Sequence, residues 1–417
     1  MKVLHVSYTD YIGGAGRAAY RIHKSLLDAG VDSSMLVCKS VLEDCTISGG
    51  KGRRVFVRNF VRNALVFPLS RWFRRDRFET VSINLLDSNL LRTINESDAD
   101  LIHLHWVNAE MLSIRDIGLI SKPIVWTFHD MWPFVGALHY SQTEEWRVDA
   151  QGSLSISRVC AWLDINVWVL KRKQKNWRRP IFIVAPSKWL MDCVHLSKLM
   201  CRWPVTFIPN TLNTEQWLNR DKRECRIMLG LPSDKKLVLF GAFGGIGDKR
   251  KGFDLLREAL QKLPNLYPVL AEQVELVIFG QSEPFESGDF SLKTRYFGQL
   301  SDDFNLNILY SACDVFMLPS RQDNCPLTIQ ESLSSGTPVV AFRTTGAESL
   351  LVHKSNGYLA DFECAEDLLN GIVWVLEGSD LELSRASRNF AVNNFDSKII
   401  SKKYLGVYEC VITDFIK

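Results

Sequence analysis

Short apolar runs of strand length alternate with longer amphipathic stretches along the whole chain. KVLHVS, SSMLVCK, LIHLHW, PIVWTF, IFIVAPS and PVTF occupy the first half, and KLVLFG, ELVIFG, RYF, VFMLPS and TPVVAF the second. Such runs suit the buried strands of a parallel sheet. Between them, apolar residues recur at helical spacing: Ala18, Ala19, Ile22, Leu26 and Leu27 before Gly30, then Leu255, Leu256 and Leu260 after Gly252, and Ile399, Ile400, Tyr404, Leu405 and Tyr408 in the tail. Strand and helix alternating throughout predict an α/β protein of two doubly wound Rossmann-like domains. The polar stretch NTEQWLNRDKRECRIMLGLPSDKK reads as the linker and the entry to the second, which gives domains 1–215 and 216–398 and a last helix over 399–417.

The densest pattern runs from Val315 to Glu348, as strand, turn, helix, turn, strand. Pro319 and Ser320 stop the first strand, Asp323 and Asn324 offer side-chain caps, and Pro326 suits the first turn of a helix that Gly336 closes. Such a loop turns backbone amides at the positive end of a helix toward the mouth of the sheet, where phosphate or sugar hydroxyls bind. Asp323 precedes the helix and Glu331 lies within it. One carboxylate then meets a group above the helix start and the other a diol beside it; in the plainer alternative Asp323 is a cap and Glu331 is solvated.

Two glycine-rich loops follow first strands. In KLVLFGAFGGIGDKRKGF, Gly241, Gly244, Gly245 and Gly247 free the backbone to fold around a ligand, and Arg250 and Lys251 stand at the mouth, as pyrophosphate ligands or as exposed charges. The spacing is not that of a P-loop. Near the N-terminus, Gly14-Ala15-Gly16-Arg17-Ala18-Ala19 fits a dinucleotide pattern, but about five residues separate it from the strand and the second strand ends Val37-Cys38-Lys39-Ser40, with no acid for a ribose, which argues against NAD. His103, His105 and Trp106 end one strand, and His129, Asp130 and Trp132 another. A His-x-His pair without further ligands at a typical spacing makes a poor metal site, and a strand histidine is ordinarily a satisfied core residue.

At 417 residues the chain is long enough for two or three domains, and a net charge of +3 is too small to argue for nucleic acid. The ten cysteines form no C-x-x-C pair, which fits reduced thiols in the cytosol and neither a disulfide framework nor a zinc site. No run is long enough for a signal sequence or a membrane span. Charge matters locally. Residues 51–77, KGRRVFVRNFVRNALVFPLSRWFRRDR, alternate arginine with Val, Phe, Leu and Trp, and read either as a surface helix with solvated arginines or as a peripheral face for anionic lipid or a phosphate-linked acceptor. KRKQKNWRRP reads as a solvated helix end.

The residues Asp323, NCPLTIQ, Glu331 and SGTPVV resemble the signature of family 4 retaining glycosyltransferases, in which two glutamates eight positions apart bracket a turn and a helix. Asp323 is one methylene shorter than the usual Glu. WTFHDMWPF, the FIVAPSKWL and FIPNTLNTEQW segments, and the pair Lys251-Gly252 extend the resemblance over nearly the whole chain, and Ala242 stands where the family has an arginine. The resemblance implies the GT-B architecture, two facing domains with the last helix returning to the first. It assigns Asp323 and His129 to the donor sugar, Glu331 to the ribose, Lys251 (with Arg250 as the substitute arginine) to the diphosphate, and Gly298 and Leu300 to the base. Asn324, Cys325, Pro326 and Leu327 would line the donor through backbone, and Gly14 and Gly16 would approach phosphates and acceptor. It also implies a nucleotide-diphosphate sugar donor, an oligosaccharide acceptor of the lipid-linked kind, no metal and no other cofactor, and work at the inner face of a bacterial plasma membrane. A nucleotide-sugar epimerase and a non-catalytic sugar-nucleotide binder share the architecture.

Overall fold

The computed structural model describes the chain except residues 51–60, 63, 67, 69–70, 72–79, 142–145, 149–163, 242–247, 281–291, 301 and 417. It divides into a first unit, Met1–Thr211 with Ile400–Lys417, and a second, Leu212–Ile399.

In the first unit seven strands run parallel: β1 (Lys2–Thr9), β2 (Asp32–Lys39), β3 (Ile47–Gly49), β4 (Leu101–Leu104), β5 (Ile124–Thr127), β6 (Phe182–Ala185) and β7 (Val205–Phe207). Their order is β3-β2-β1-β4-β5-β6-β7, so the winding reverses between β1 and β4. The helix Ser397–Ile416 closes one face of this sheet, burying Ile400, Tyr404 and Tyr408 against Val3, Leu101, Val125 and Val184. Its hydroxyls are satisfied inside: Tyr408 meets His103 Nδ1 at 2.6 Å and Tyr404 meets Thr127 Oγ1 at 3.1 Å. The last helix thus returns to the first domain, as expected.

The second unit holds β8 (Lys236–Gly241), β9 (Val274–Phe279), β10 (Thr294–Tyr296), β11 (Val315–Leu318), β12 (Val339–Phe342) and β13 (Gly357–Ala360), parallel and in the order β10-β9-β8-β11-β12-β13. Side chains alternate between faces along each strand. Val238, Leu276, Met317 and Val340 face helices Phe253–Leu266 and Ala365–Glu377; Leu237, Leu239, Phe316 and Val339 face Asp303–Ala312, Leu327–Ser334 and Asp380–Phe395.

Several readings change. The polar stretch 213–236 is more than a connection: Trp217 and Cys225 are in the core of the second unit, and helix Lys222–Leu229 is held by Arg226, which donates to Asp314 Oδ2 at 2.7 Å and to the Ala312 carbonyl at 2.9 Å. Strands β3 and β13 and helix Asp380–Phe395 are elements beyond those the sequence pattern predicts. Most of 51–77 lies outside the described residues. Within it, Arg62 is committed to protein, donating to the carbonyls of Leu86, Asp87 and Glu110 at 2.6–3.1 Å. Among the described residues no helix is long and apolar enough to cross a membrane, and the described cysteines are free thiols.

The basic run after residue 170 is not simply solvated. Lys173, on helix Ile165–Asn176, is fully buried over the ring of Trp132 and donates to the carbonyls of Trp132, Val135 (3.0 Å) and Gly136 (2.8 Å). It clamps the loop that follows β5. Lys173→Met keeps the stem but strips three buried carbonyls of their donor. At about 1–3 kcal/mol for each orphaned group, the variant should lose about 3 kcal/mol or more, read as a lowered denaturant midpoint with an unchanged slope.

Candidate functional site

In the second unit the winding reverses between β8 and β11, and ligands of doubly wound sheets gather beyond the carboxyl ends of such a strand pair. The loops leaving these two strands bring the predicted residues together. Lys251 Nζ pairs with Asp323 Oδ2 at 2.7 Å, and Arg250 NH1 lies 4.0 Å from the same oxygen. Arg250 is also aimed by Asp248 (3.2 Å) and by the Gln322 carbonyl (2.9 Å). Asp248 caps the short 3₁₀ turn Lys249–Lys251, accepting from Arg250 N at 3.0 Å. Burial pushes the Asp323 carboxyl up, but the charges of Lys251 and Arg250 outweigh it and hold the group below the ordinary carboxylate range. Asp323 is therefore ionised at neutral pH.

Glycine is required at two places in this meeting. Gly252 has φ +68°, and a Cβ there would stand 1.8 Å from the Pro319 carbonyl oxygen. Gly346 donates to the Asp323 carbonyl at 2.9 Å, and its Cβ would fall 1.5 Å from the Asn324 carbonyl oxygen. Thr345 Oγ1 accepts from Asp323 N at 3.2 Å. Thr345 and Gly346 thus brace the acidic loop, a role the sequence did not reveal because only their backbone and one hydroxyl are used. Gly346→Ala must displace residues 323–324. It should weaken binding of a nucleotide sugar more than tenfold, measured by calorimetry.

Asp323 is turned to Lys251, and the helix runs Leu327–Ser334 with Pro326 at the cap position. Asn324, Cys325, Pro326 and Leu327 are all buried. Glu331 is 3% exposed, which rules out the solvated alternative. Gly298 follows β10 with φ +64° and accepts from Gly280 N at 2.7 Å, and Leu300 packs on the core. Gly244, Gly245, Gly247 and Ala242 lie outside the described residues.

In the first unit Gly13–Gly16 form the first turn of helix Gly13–Asp28 and not a loop before it. Gly14 is exposed with open space at its Cβ position, whereas a Cβ on Gly16 would meet Thr9 Cγ2 at 2.8 Å. Packing against β1 accounts for Gly16. His129, just past β5, is partly exposed, with its Nε2 3.2 Å from His105 Nδ1. Burial lowers its pKa to about 4 against the pull of Asp130, so the ring is neutral at pH 7. Beside it, Asp130 accepts from Trp106 Nε1 (3.0 Å) and from His139 Nδ1 (2.6 Å), and His139 Nε2 meets Ser82 Oγ at 2.8 Å. All three members of this Ser-His-Asp array are buried, which makes it a brace for the loop and not an accessible nucleophile.

Two family models match the chain: Glycosyltransferase Family 4 over residues 12–216 and Glycosyl transferases group 1 over residues 221–391. The chain is 25% identical over 414 residues to a phosphatidyl-myo-inositol mannosyltransferase of Mycolicibacterium smegmatis, covering 96% of this chain and 91% of that one. A putative colanic acid biosynthesis glycosyl transferase of Escherichia coli is 23% identical, with 86% of each covered. The crystal structure of Anabaena HepE in complex with UDP-glucose superposes with a TM-score of 0.62 at 17% identity, covering 98% of this chain and 100% of that one, which shows a common fold. Two doubly wound units of this kind make up the GT-B fold, and the two family models make the chain a glycosyltransferase, an enzyme that transfers a sugar from a nucleotide sugar. The chain belongs to the retaining glycosyltransferases of family 4.

Proposed function

We propose that this enzyme moves a hexose from a nucleotide-diphosphate sugar to a hydroxyl of a lipid-linked oligosaccharide during synthesis of a bacterial surface polysaccharide, without a metal, at the cytoplasmic face of the membrane. The observation that carries the donor half is the convergence of Lys251, Arg250 and Asp323 at the switch point of the second sheet. In the reaction the bond from the anomeric carbon to the diphosphate breaks and a bond to the acceptor oxygen forms. The departing diphosphate gains negative charge, and Lys251 and Arg250 meet it with fixed cations. Asp323 holds Lys251 in place and reaches the sugar. Glu331 takes the ribose, the turn at Gly298–Leu300 the base, and His129 an oxygen of the transferred sugar. The acceptor proton passes to a phosphate oxygen of the leaving group. The acceptor half is supported by the names of the relatives, one acting on phosphatidyl-myo-inositol and one in colanic acid synthesis, and the donor by the UDP-glucose held by HepE.

A thermal-shift panel of nucleotide sugars on the full chain tests the donor. One of them should raise stability by about 2.7 kcal/mol at a hundredfold excess over its Kd, and Glu331→Gln should diminish that gain. Turnover is then read with lipid-linked acceptors. A converted sugar nucleotide formed without acceptor would replace the proposal by an epimerase, and binding without transfer to any acceptor would replace it by a binding protein.

A further inference from the structure

We propose that His5 and His105 are positioning residues that fix which nitrogen of His129 carries its proton, making His129 Nδ1 a standing hydrogen-bond donor to an oxygen of the ligand. Its ligand half rests on the placement of His129 at the transferred sugar; its proton half stands on the geometry of the first unit alone.

His5 lies on β1, His105 immediately after β4 and His129 two residues after β5, so three adjacent strands deliver three rings in a row. His5 Nδ1 is 2.9 Å from His105 Nε2, and His105 Nδ1 is 3.2 Å from His129 Nε2. The ring centres are 5.2 and 5.5 Å apart with tilts of only 16° and 26°. Such separations, with nitrogens this close, mean that the rings meet edge to edge, in line. Trp126 Nε1 donates to the His105 carbonyl at 2.9 Å and holds the middle ring's backbone. Burial keeps the rings neutral, with His5 and His105 far below the ordinary histidine pKa and His129 at about 4.

A neutral imidazole has one N–H and one lone pair. Three such rings joined by two hydrogen bonds therefore have two arrangements, with every proton pointing toward His129 or every proton pointing toward His5. The buried end decides between them. His5 Nε2 is shielded from solvent and has no partner among the described residues. Protons pointing inward would place an orphaned N–H there, the rarer and costlier defect; protons pointing outward leave only a bare lone pair. Outward polarity gives His5 Nδ1–H to His105 Nε2, and His105 Nδ1–H to His129 Nε2. The remaining proton of His129 then sits on Nδ1, which makes no hydrogen bond to the described residues. In that tautomer Nδ1 has no lone pair to accept an acceptor's proton, so His129 holds an oxygen and does not act as a base through that nitrogen.

The arrangement also decides what the histidine cluster is. Nitrogens of His5, His103 and His105 come within 4.8 Å of one another, close enough to suggest a metal ion. Five of their six ring nitrogens are already hydrogen-bonded, His103 to Thr127 Oγ1 (2.8 Å) and Tyr408 OH (2.6 Å). An ion would have to break that network.

Ring-nitrogen NMR of the full chain labelled with ¹⁵N-histidine, at neutral pH, reads the tautomer directly. His129 Nδ1 should resonate as a protonated nitrogen and Nε2 as an unprotonated one. In His105→Phe both signals should move toward an average of the two tautomers. In His5→Phe they should stay, because His105 Nε2 then becomes the buried lone pair that ends the chain. A His129 proton found on Nε2 in the unaltered protein overturns the proposal, as does a His129 signal indifferent to His105→Phe; a purely structural role predicts that indifference. Should a variant fail to fold, the unaltered protein still decides. Separately, His129→Asn, whose amide can donate from the Nδ1 position, should retain about tenfold more transfer than His129→Phe. If the NMR result holds while both variants transfer normally, the polarised chain of rings stands and the assignment of His129 to the sugar falls.

Discussion

The first unit is expected to lose stability steeply as the pH falls from about 6.5 toward 4, by up to about 7 kcal/mol per pH unit. Burial depresses the pKa of five of its histidines: His5, His103 and His105 fall well below the ordinary value, and His23 and His129 to about 4. The unfolded chain takes up these protons near the ordinary histidine value, and the folded unit only near pH 4 or lower. Below neutrality the unfolded state therefore binds more protons, and stability, complete above about pH 7, drains away as acid is added. Glu110 and Asp116, whose pKa values burial raises, work in the opposite direction and soften the slope. Because a domain's whole stability is about 5–15 kcal/mol, the unit should open near pH 5. The second unit contains a single histidine, His353, and should outlast it, so that mild acid separates two unfolding transitions. Calorimetry across this range checks the expectation, and a first transition that does not move between pH 7 and pH 5 would falsify it.

Lys251→Ala should slow sugar transfer by about 10²- to 10³-fold while leaving the unfolding midpoint nearly where it was. The side chain is partly solvated, and Asp323, its ion-pair partner among the described residues, keeps Arg250 nearby, so the fold loses little. What disappears is a cation positioned in advance where the leaving diphosphate develops charge. Without Lys251 the burial of Asp323 is less well opposed, and its carboxyl pKa should rise. The variant's activity should therefore fall off at a higher pH on the acid side than that of the unaltered enzyme. Single-turnover rates against pH measure both effects. An unchanged rate constant would remove the diphosphate from this end of the sheet.

The strands were readable because a parallel sheet covered on both faces needs continuous apolar runs, as in VFML and VELVIF, and these recur regularly along the chain. The pair Lys251-Gly252 and the acid Asp323 were each visible as patterns. That they meet at 2.7 Å was not, since the contact spans 72 positions and depends on which strands lie next to each other. Lys173 was misread for a different reason. Its three partners are carbonyls, and backbone acceptors leave no trace in the side-chain sequence. The core contacts of the stretch entering the second unit were hidden because its polarity is satisfied at long range, Arg226 by Asp314 and the Ala312 carbonyl. His5 is a single polar residue in a strand, and its meaning depends on His105, a hundred positions away.

The part of the last helix that seals the first sheet, from Ile400 on, is translated after every residue of the second unit. On the ribosome, the earlier-made unit must wait with Val3, Leu101 and Val125 uncovered while the later one, whose segment is continuous, can already finish folding. The order of completion is thus the reverse of the order of synthesis, and the interval in which a chaperone would find exposed sheet belongs to the half that emerges first.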